Sequence, residues 1–456
     1  MMRLIKLACL VLAAAWGLGL AGCTSLPEKI LHTKYRETYD AVYEAPDTSD
    51  TTARFDGNST FDDYRRYAFA HSPALRAAFD RWKAALERVP QARSLDDPIL
   101  AFEYFIEQRQ TRYQASLIQL FPAFGKLTLR DKRAVAEADA AMRAFDAERL
   151  TLFDRVVKAF YEYHYLFRAT EVTDENFQLL ADLEKVVTTR YTTGLAPFAD
   201  LIKVQVEKDR IANELATLRD ERGSKSAMLA ALLNFPARAA LPWPKVAPYG
   251  RALINEAVLD GMIKDLNPEL KAADSMIDAA AYREKLAHRN FLPDFMLGAS
   301  WMVMPGMDGK GDESDVGIMA GITVPVWWGK YRAEIREAGA MRRAAVNNRD
   351  DRYNMLKAEL SMAIFKFRDA ERRIGLFKTS LIPKAVQALG VAKQEFSAGK
   401  TDFMTLIDAQ RTLLEFSLMA ERAAVDREIA LGEIGRNIGK YDIGVWLDTK
   451  TSGEKQ

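Results

Sequence analysis

A mostly helical chain with a small β part, built from one unit used twice, is what this sequence predicts, and three observations predict it. Tyr191-Thr-Thr-Gly194-Leu195-Ala-Pro-Phe198-Ala-Asp200-Leu201-Ile202-Lys-Val-Gln205 is echoed by Phe396-Ser-Ala-Gly399-Lys400-Thr-Asp-Phe403-Met-Thr405-Leu406-Ile407-Asp408-Ala-Gln410, with Gly, Phe, Leu, Ile and Gln recurring at one offset of 205. No Gly or Pro interrupts the helical pattern between Gly125 and Tyr191, a stretch longer than a compact globule needs. Finally, two pairs of segments alternate in hydrophobicity with period two, the signature of strands. Two copies fit a duplication better than a solenoid.

The chain opens with Arg3 and Lys6 ahead of an apolar run from Leu7 to Leu20, then Leu20-Ala21-Gly22-Cys23. The run is too short for a spanning helix, which needs about 20 apolar residues, and reads as a signal peptide over residues 1–22. The sequence Leu-Ala-Gly-Cys resembles a bacterial lipobox, which makes Cys23 the expected lipidated first residue of the mature chain. Cys9 leaves with the signal, so no disulfide is possible. Residues 23–60 are polar and irregular, a tether.

The first repeat covers 61–235. A helical stripe of Leu75, Ala78, Phe79, Trp82, Leu86 and Val89 ends at Asp96-Asp97-Pro98. From Ile99, Leu100, Phe102, Tyr104 and Ile106 alternate against Ala101, Glu103, Phe105 and Glu107, and Tyr113 to Phe121 reads as the partner strand. Val135, Ala138, Met142, Phe145, Leu152, Val156, Phe160, Tyr163 and Phe167 mark the long helix that follows. At 1.5 Å per residue it would run for roughly 100 Å, and such helices pack side by side as in coiled coils. Gly194 supplies the left-handed cap that ends it, and Phe198 to about Leu233 returns. Pro236, Pro242, Pro244 and Pro248 then punctuate a joining segment, 236–250.

The second repeat, 251–438, follows the same plan. Asn267-Pro268 echoes Ser72-Pro73, each a plausible N-cap with Pro at the first helical position. Strands are expected over 295–304 and 316–326, the first with Phe295, Leu297, Ala299, Trp301 and Val303 on one side. Gly329-Lys330 echoes Gly125-Lys126. The second long helix, about Tyr331 to Ser397, contains Pro383, which costs an interior helix about 3 kcal/mol and predicts a kink or bulge. Gly399 forms the second tip, Phe403 to Asn437 returns, and 439–456 reads as a loose tail.

Composition excludes more than it assigns. Net charge is +1 with 28% charged residues, so no global field argues for nucleic acid. His32, His71, His164 and His288 are scattered without acidic or Cys neighbours at metal spacing, and no nucleophile elbow or phosphate loop is present. No catalytic residue, metal site or cofactor is expected. Met296, Met302, Met304, Met307 and Met319 cluster near the second strand pair; thioethers favour Cu(I), but adaptable apolar filler is the better reading. Each hairpin has one apolar face, a pattern of membrane barrel strands. Four strands leave two unpaired edges that a bilayer does not tolerate, so closure requires several chains.

Taken in order, the Cys23 lipobox, the Ser72-Pro73 and Asn267-Pro268 helix starts, the two hairpins, Pro122-Ala-Phe-Gly125-Lys126, Pro325-Val-Trp-Trp-Gly329-Lys330 and both tips resemble the TolC-type outer-membrane efflux channel family. The likeness is to its lipoprotein branch, with a leaning toward heavy-metal (CusC/CzcC-like) exporters. That resemblance implies a homotrimer with a twelve-stranded transmembrane β-barrel on a periplasmic α-helical barrel, in the outer membrane of a Gram-negative bacterium. It further implies a passive exit duct for metal ions or drugs, with outer-membrane lipid, a periplasmic adaptor (membrane fusion protein) and an inner-membrane RND-type transporter as partners. By the same resemblance Gly194, Leu195 and Gly399 at the tips meet the adaptor, and Asp408 is a periplasmic gate residue. Thr405 stands where the family has a second acid. Asp200 and Lys400 are candidates for a tether between the hairpins. The competing reading is a structural coiled-coil lipoprotein without a pore, which would need no apolar strand faces.

Overall fold

The computed structural model describes residues 26–43, 55–106, 111–235, 241–244, 254–305 and 311–441. The signal run, Cys23 and Met307 lie outside them. The described residues divide between two compact units, one drawn from Met1–Ala41, Asp80–Met142 and Ala273–Val346, the other from Val42–Phe79, Arg143–Ala272 and Asn347–Gln456.

The first unit contains a four-stranded antiparallel sheet of order β1 (Ile99–Tyr104), β2 (Tyr113–Phe121), β3 (Phe295–Pro305) and β4 (Asp312–Ile322). The register places Leu100, Phe102 and Tyr104 on one face with Leu117, Ala115 and Tyr113, then with Ala299, Trp301 and Val303, then with Ile318 and Val316. Most of the large side chains on this face are exposed, Leu100 at 76% and Ile318 at 89%. The reverse carries Glu103, Gln114, Ser116, Gly298, Ser300, Gly317 and Gly321. β4 is offset from the expected 316–326. Pro325 has no N–H to give a ladder, and Thr323 ends the strand by donating to the Asp294 carbonyl at 2.9 Å. β1 likewise stops at Tyr104, before Ile106 of the alternation.

In the same unit the expected irregular tether departs from the reading, because Leu26–Tyr43 is helical (α1). Glu28 is 1% exposed and accepts from Arg93 Nη1 at 2.7 Å, while the Tyr35 ring meets the Trp82 edge at 5.8 Å. These anchors lie some 50 to 65 residues downstream, so local pattern did not reveal them.

The helical stretch ahead of Asp96 forms two helices, α2 (Phe61–His71) and α3 (Pro73–Arg93). A residue before proline is driven to extended backbone, and Ser72 sits at φ −66°, ψ 119°. Asn267 does the same between α6 (Glu256–Leu266) and α7 (Pro268–Arg289), accepting from the Glu269 and Leu270 amides as the expected cap.

The long helices are α4 (Lys126–Thr192, 67 residues), α5 (Phe198–Leu233), α8 (Trp328–Leu376), α9 (Ile382–Ser397) and α10 (Phe403–Ile438). α8 and α9 are joined by a π-helical turn, Phe377–Leu381. Widening the helix there relieves the clash of the Pro383 ring with the preceding turn, which is the bulge Pro383 predicts. In the second unit Leu180, Val187, Val204, Ile211, Phe396, Phe403, Leu406 and Leu414 form one core drawn from α4, α5, α9 and α10. The start of the tail is packed, not loose: Tyr441 lies edge-on to Phe69 and Phe153 under Arg149. Of the joining segment, Leu241–Pro244 is described. Tyr163 Oη donates to the Leu241 carbonyl at 2.6 Å and stacks on Trp243. Among the described residues no helix is long and apolar enough to cross a membrane.

Candidate functional site: the paired hairpin tips

Both glycines are the caps their repeat predicts. Gly194 has φ +75° and Gly399 φ +71°, a region L side chains rarely enter. In each copy the residue after glycine reaches back five, Leu195 N to Arg190 O at 2.7 Å and Lys400 N to Glu395 O at 2.9 Å, closing a Schellman turn. Nothing lies within 4 Å of a side chain added at Gly194, and Leu195 is 67% exposed. The first tip therefore presents an open backbone and one bare leucine.

What binds the two tips together is a residue the repeat does not mark. Arg190 Nη1 donates to the Phe396 and Ser397 carbonyls, the latter at 2.7 Å, and Nη2 to its own Leu195 carbonyl at 3.2 Å. Its guanidinium lies 4.8 Å from the Phe396 ring centroid. One side chain thus caps the C-terminal end of α9, where carbonyls lack helical partners, while holding its own turn.

Below the tips a charged knot joins α5 to α10. Glu207 is 2% exposed and accepts from Arg411 Nη2 at 2.6 Å and Arg210 Nη2 at 2.8 Å. Burial pushes its carboxyl upward, but the hydrogen bonds from Arg411 and Arg210 outweigh it and hold the pKa at about 2. Close by, Gln410 Nε2 donates to buried Asn176 Oδ1 at 2.5 Å, while its repeat counterpart Gln205 donates to Glu184 at 3.2 Å. The glutamine shared by both copies therefore bonds to α4 in each case, Gln205 within its own copy and Gln410 across to the first.

The gate candidates are placed as follows. Asp408 stands on the open side of α10, its side chain 67% exposed, with Arg411 Nη1 at 4.0 Å. Thr405 is engaged: Asp402 caps α10 by accepting from the Thr405 amide at 2.9 Å and hydroxyl at 2.7 Å, bonds that hold the Asp402 carboxyl below its usual range. Asp200 pairs with Lys203 at 3.6 Å, and among the described residues no ion pair joins it to Lys400. The hairpins within one chain are tied by Arg190 and by Glu207–Arg411 instead. No sequence signal singled out Arg190, Glu207 or Arg411.

Two of the four histidines are packed, while His288 is exposed. His164 is buried with Nδ1 3.3 Å from the Pro244 carbonyl, and burial lowers its pKa; His71 stacks on Tyr67 at 4.0 Å. Met296, Met302 and Met319 lie over glycines of the sheet's reverse face, the Met319 methyl 3.2 Å from a side chain built at Gly298. That is the filler role. Among the described residues no group of three or more His, Cys, Asp or Glu could hold a metal.

Residues 261–438 match the family described as outer membrane efflux protein. The chain is 26% identical over 163 residues to an uncharacterised protein of Haemophilus influenzae, a match covering 35% of this chain and 36% of that one. It is 24% identical over 330 residues to outer membrane protein OprJ of Pseudomonas aeruginosa, covering 69% of this chain and 67% of OprJ. The chain thus spans about a third of the first relative's length. In fold it is similar to the outer membrane protein VceC of Vibrio cholerae, with a TM-score of 0.71 and 20% identity over 84% of this chain and 97% of VceC. It is as similar to CusC, with a TM-score of 0.74 and 15% identity over 85% and 94%, so the fold does not select a heavy-metal branch.

Proposed function

We infer that this chain is an outer-membrane efflux protein, the passive exit duct of a tripartite export system. The observation that carries this reading is the largely apolar face that β1, β2, β3 and β4 share, with most of its large residues exposed, against a reverse that mixes small and polar residues with Ile118, Leu120 and methionines. Strands β3 and β4 have 11 residues each, and a spanning strand needs about 9–11. β1 and β4 are open edges, which hydrocarbon does not tolerate; three copies edge to edge would close a twelve-stranded barrel. A spacer lipoprotein without a pore has no use for such a face.

In this reading Gly194, Leu195 and Gly399 present the surface that a periplasmic adaptor grips, and an inner-membrane transporter, of the RND type or another, supplies both energy and selectivity. The cargo, metal ions or drugs, is set by that pump. A photo-crosslinker at Leu195 should capture the adaptor in cells, and no adduct there would remove the tips from the contact. The assembly is tested by mass measurement in detergent. Three copies per particle are expected, and a stable monomer with intact strand content would refute closure.

A further inference from the structure

The second unit holds a cleft of about 340 Å³ between α4, α8 and α10, at the small end of ligand-sized sites. Lys158, Lys366 and Arg436 bring cations to it, and Glu359 and Glu433 bring carboxylates. Ala358 and Met362 form an apolar wall. Glu433 is spent on the lysines, its Oε1 lying 3.0 Å from Lys158 Nζ and its Oε2 accepting from Lys366 Nζ at 2.9 Å. Burial pushes the Glu433 carboxyl up, but the bonds from Lys366 and Lys158 outweigh it and hold the group below its usual range, so it stays a carboxylate. Lys158 also donates to Asp154 Oδ2 at 3.0 Å. An ammonium has three donors, so both lysines keep N–H groups to give.

Three further polar atoms of lining residues are buried without a partner among the described residues: Arg436 Nε, Glu359 Oε2 and Asn437 Oδ1. Asn437 is 4% exposed, and its backbone carbonyl accepts from Asn267 Nδ2 at 2.9 Å, which fixes the residue while its side-chain oxygen stays unmet. Glu359 is likewise fixed through its other oxygen, which accepts from Arg352 Nη1 at 3.0 Å. Buried polar atoms without partners are costly, and three of them on one cleft call for a common occupant. We propose that the cleft binds a free α-amino acid with an apolar side chain, its carboxylate received by Lys158, Lys366 and Arg436 Nε and its ammonium by Glu359 Oε2 and Asn437 Oδ1. The side chain lies on Ala358 and Met362. An anion alone leaves both acceptors unmet, and a cation alone faces three cations. Water is the competing occupant, since it donates and accepts.

The test is a saturation-transfer NMR titration of the purified full-length protein in detergent, with empty micelles as the blank. Its three probes are L-leucine, 4-methylpentanoate, which lacks the ammonium, and 3-methylbutylamine, which lacks the carboxylate. Leucine should bind at millimolar concentration or below, and each analogue at least tenfold more weakly, the size of one charge-assisted hydrogen bond. Glu359→Gln should weaken leucine at least threefold and leave 4-methylpentanoate unchanged, because that analogue has no ammonium to give. Lys366→Gln is the mirror case, leucine weakened and 3-methylbutylamine unchanged. These paired readings distinguish a lost contact from a distorted cleft, which would weaken every probe. Wild-type protein that takes up no leucine at millimolar concentration holds only water in the cleft, and the proposal falls. Equal affinities for the three probes in wild type, or losses in both variants shared by all of them, would also overturn it.

Discussion

Replacing Arg190 by Ala removes at once the only side chain, among the described residues, seen to bond both tips. It deletes the bonds to Phe396 O, Ser397 O and Leu195 O and the stacking on Phe396. A hydrogen bond from a charged donor contributes about 1.5–3 kcal/mol and an exposed cation–π contact about 0.5–1 kcal/mol. Arg190 is half-exposed, and water replaces part of what is lost, so a net cost of about 2–3 kcal/mol at the tips is the sensible magnitude. At about 1.4 kcal/mol per tenfold, local opening becomes roughly 30- to 150-fold more frequent. Amide hydrogen exchange reads this at Leu195 N and Lys400 N, which bond to Arg190 O and Glu395 O. Both should lose protection together, while amides of the core around Val204 and Leu406 keep theirs. Unchanged exchange, or a loss confined to the first tip, would refute Arg190 as a bridge.

Three further outcomes are expected. The depressed carboxyl of Glu207 stabilises the fold above its ordinary value of 4.5, and that contribution is lost as pH falls from 4.5 toward about 2; it amounts to at most about 3 kcal/mol. The Tm gap between wild type and Glu207→Gln should shrink over that window, and a gap independent of pH would contradict the assignment. Asp408→Asn should reduce cation preference and block by multivalent cations added on the tip side in single-channel recordings, because Thr405 provides no second acid and Arg411 already offsets part of the charge. Wild-type selectivity in that variant would take Asp408 off the pore axis. Cys23→Ser should abolish incorporation of a palmitate analogue while the chain still reaches the membrane, and equal labelling would rule out lipidation at Cys23.

The features legible beforehand are those written in short-range pattern. Alternation located four strands, proline after Ser72 and Asn267 located two helix starts, and Gly194 and Gly399 located two caps. Pro383 announced the π turn because the ring's clash is local. What escaped depends on pairs far apart in the chain. Arg190 reaches residues 206 and 207 positions away, and the offset that aligns the repeats places Glu395 opposite it, so the duplication gave no hint. Glu207 and Arg411 look like ordinary solvated charges on a helix until packing buries one of them. α1 looked irregular because its anchors, Arg93 and Trp82, belong to another helix. The offset of β4 arose because apolar alternation continues through Val324 and Val326, beyond the last ladder pair, Phe295 with Ile322.

The central claim, that several copies of this chain close one pore, is tested most directly by single-channel recording of the purified, mass-verified oligomer in a planar lipid bilayer. Discrete conductance steps of uniform size are expected, one per inserted trimer, abolished when the β1 and β4 edges are prevented from pairing. Protein that associates with the bilayer yet gives no conductance step would contradict the claim.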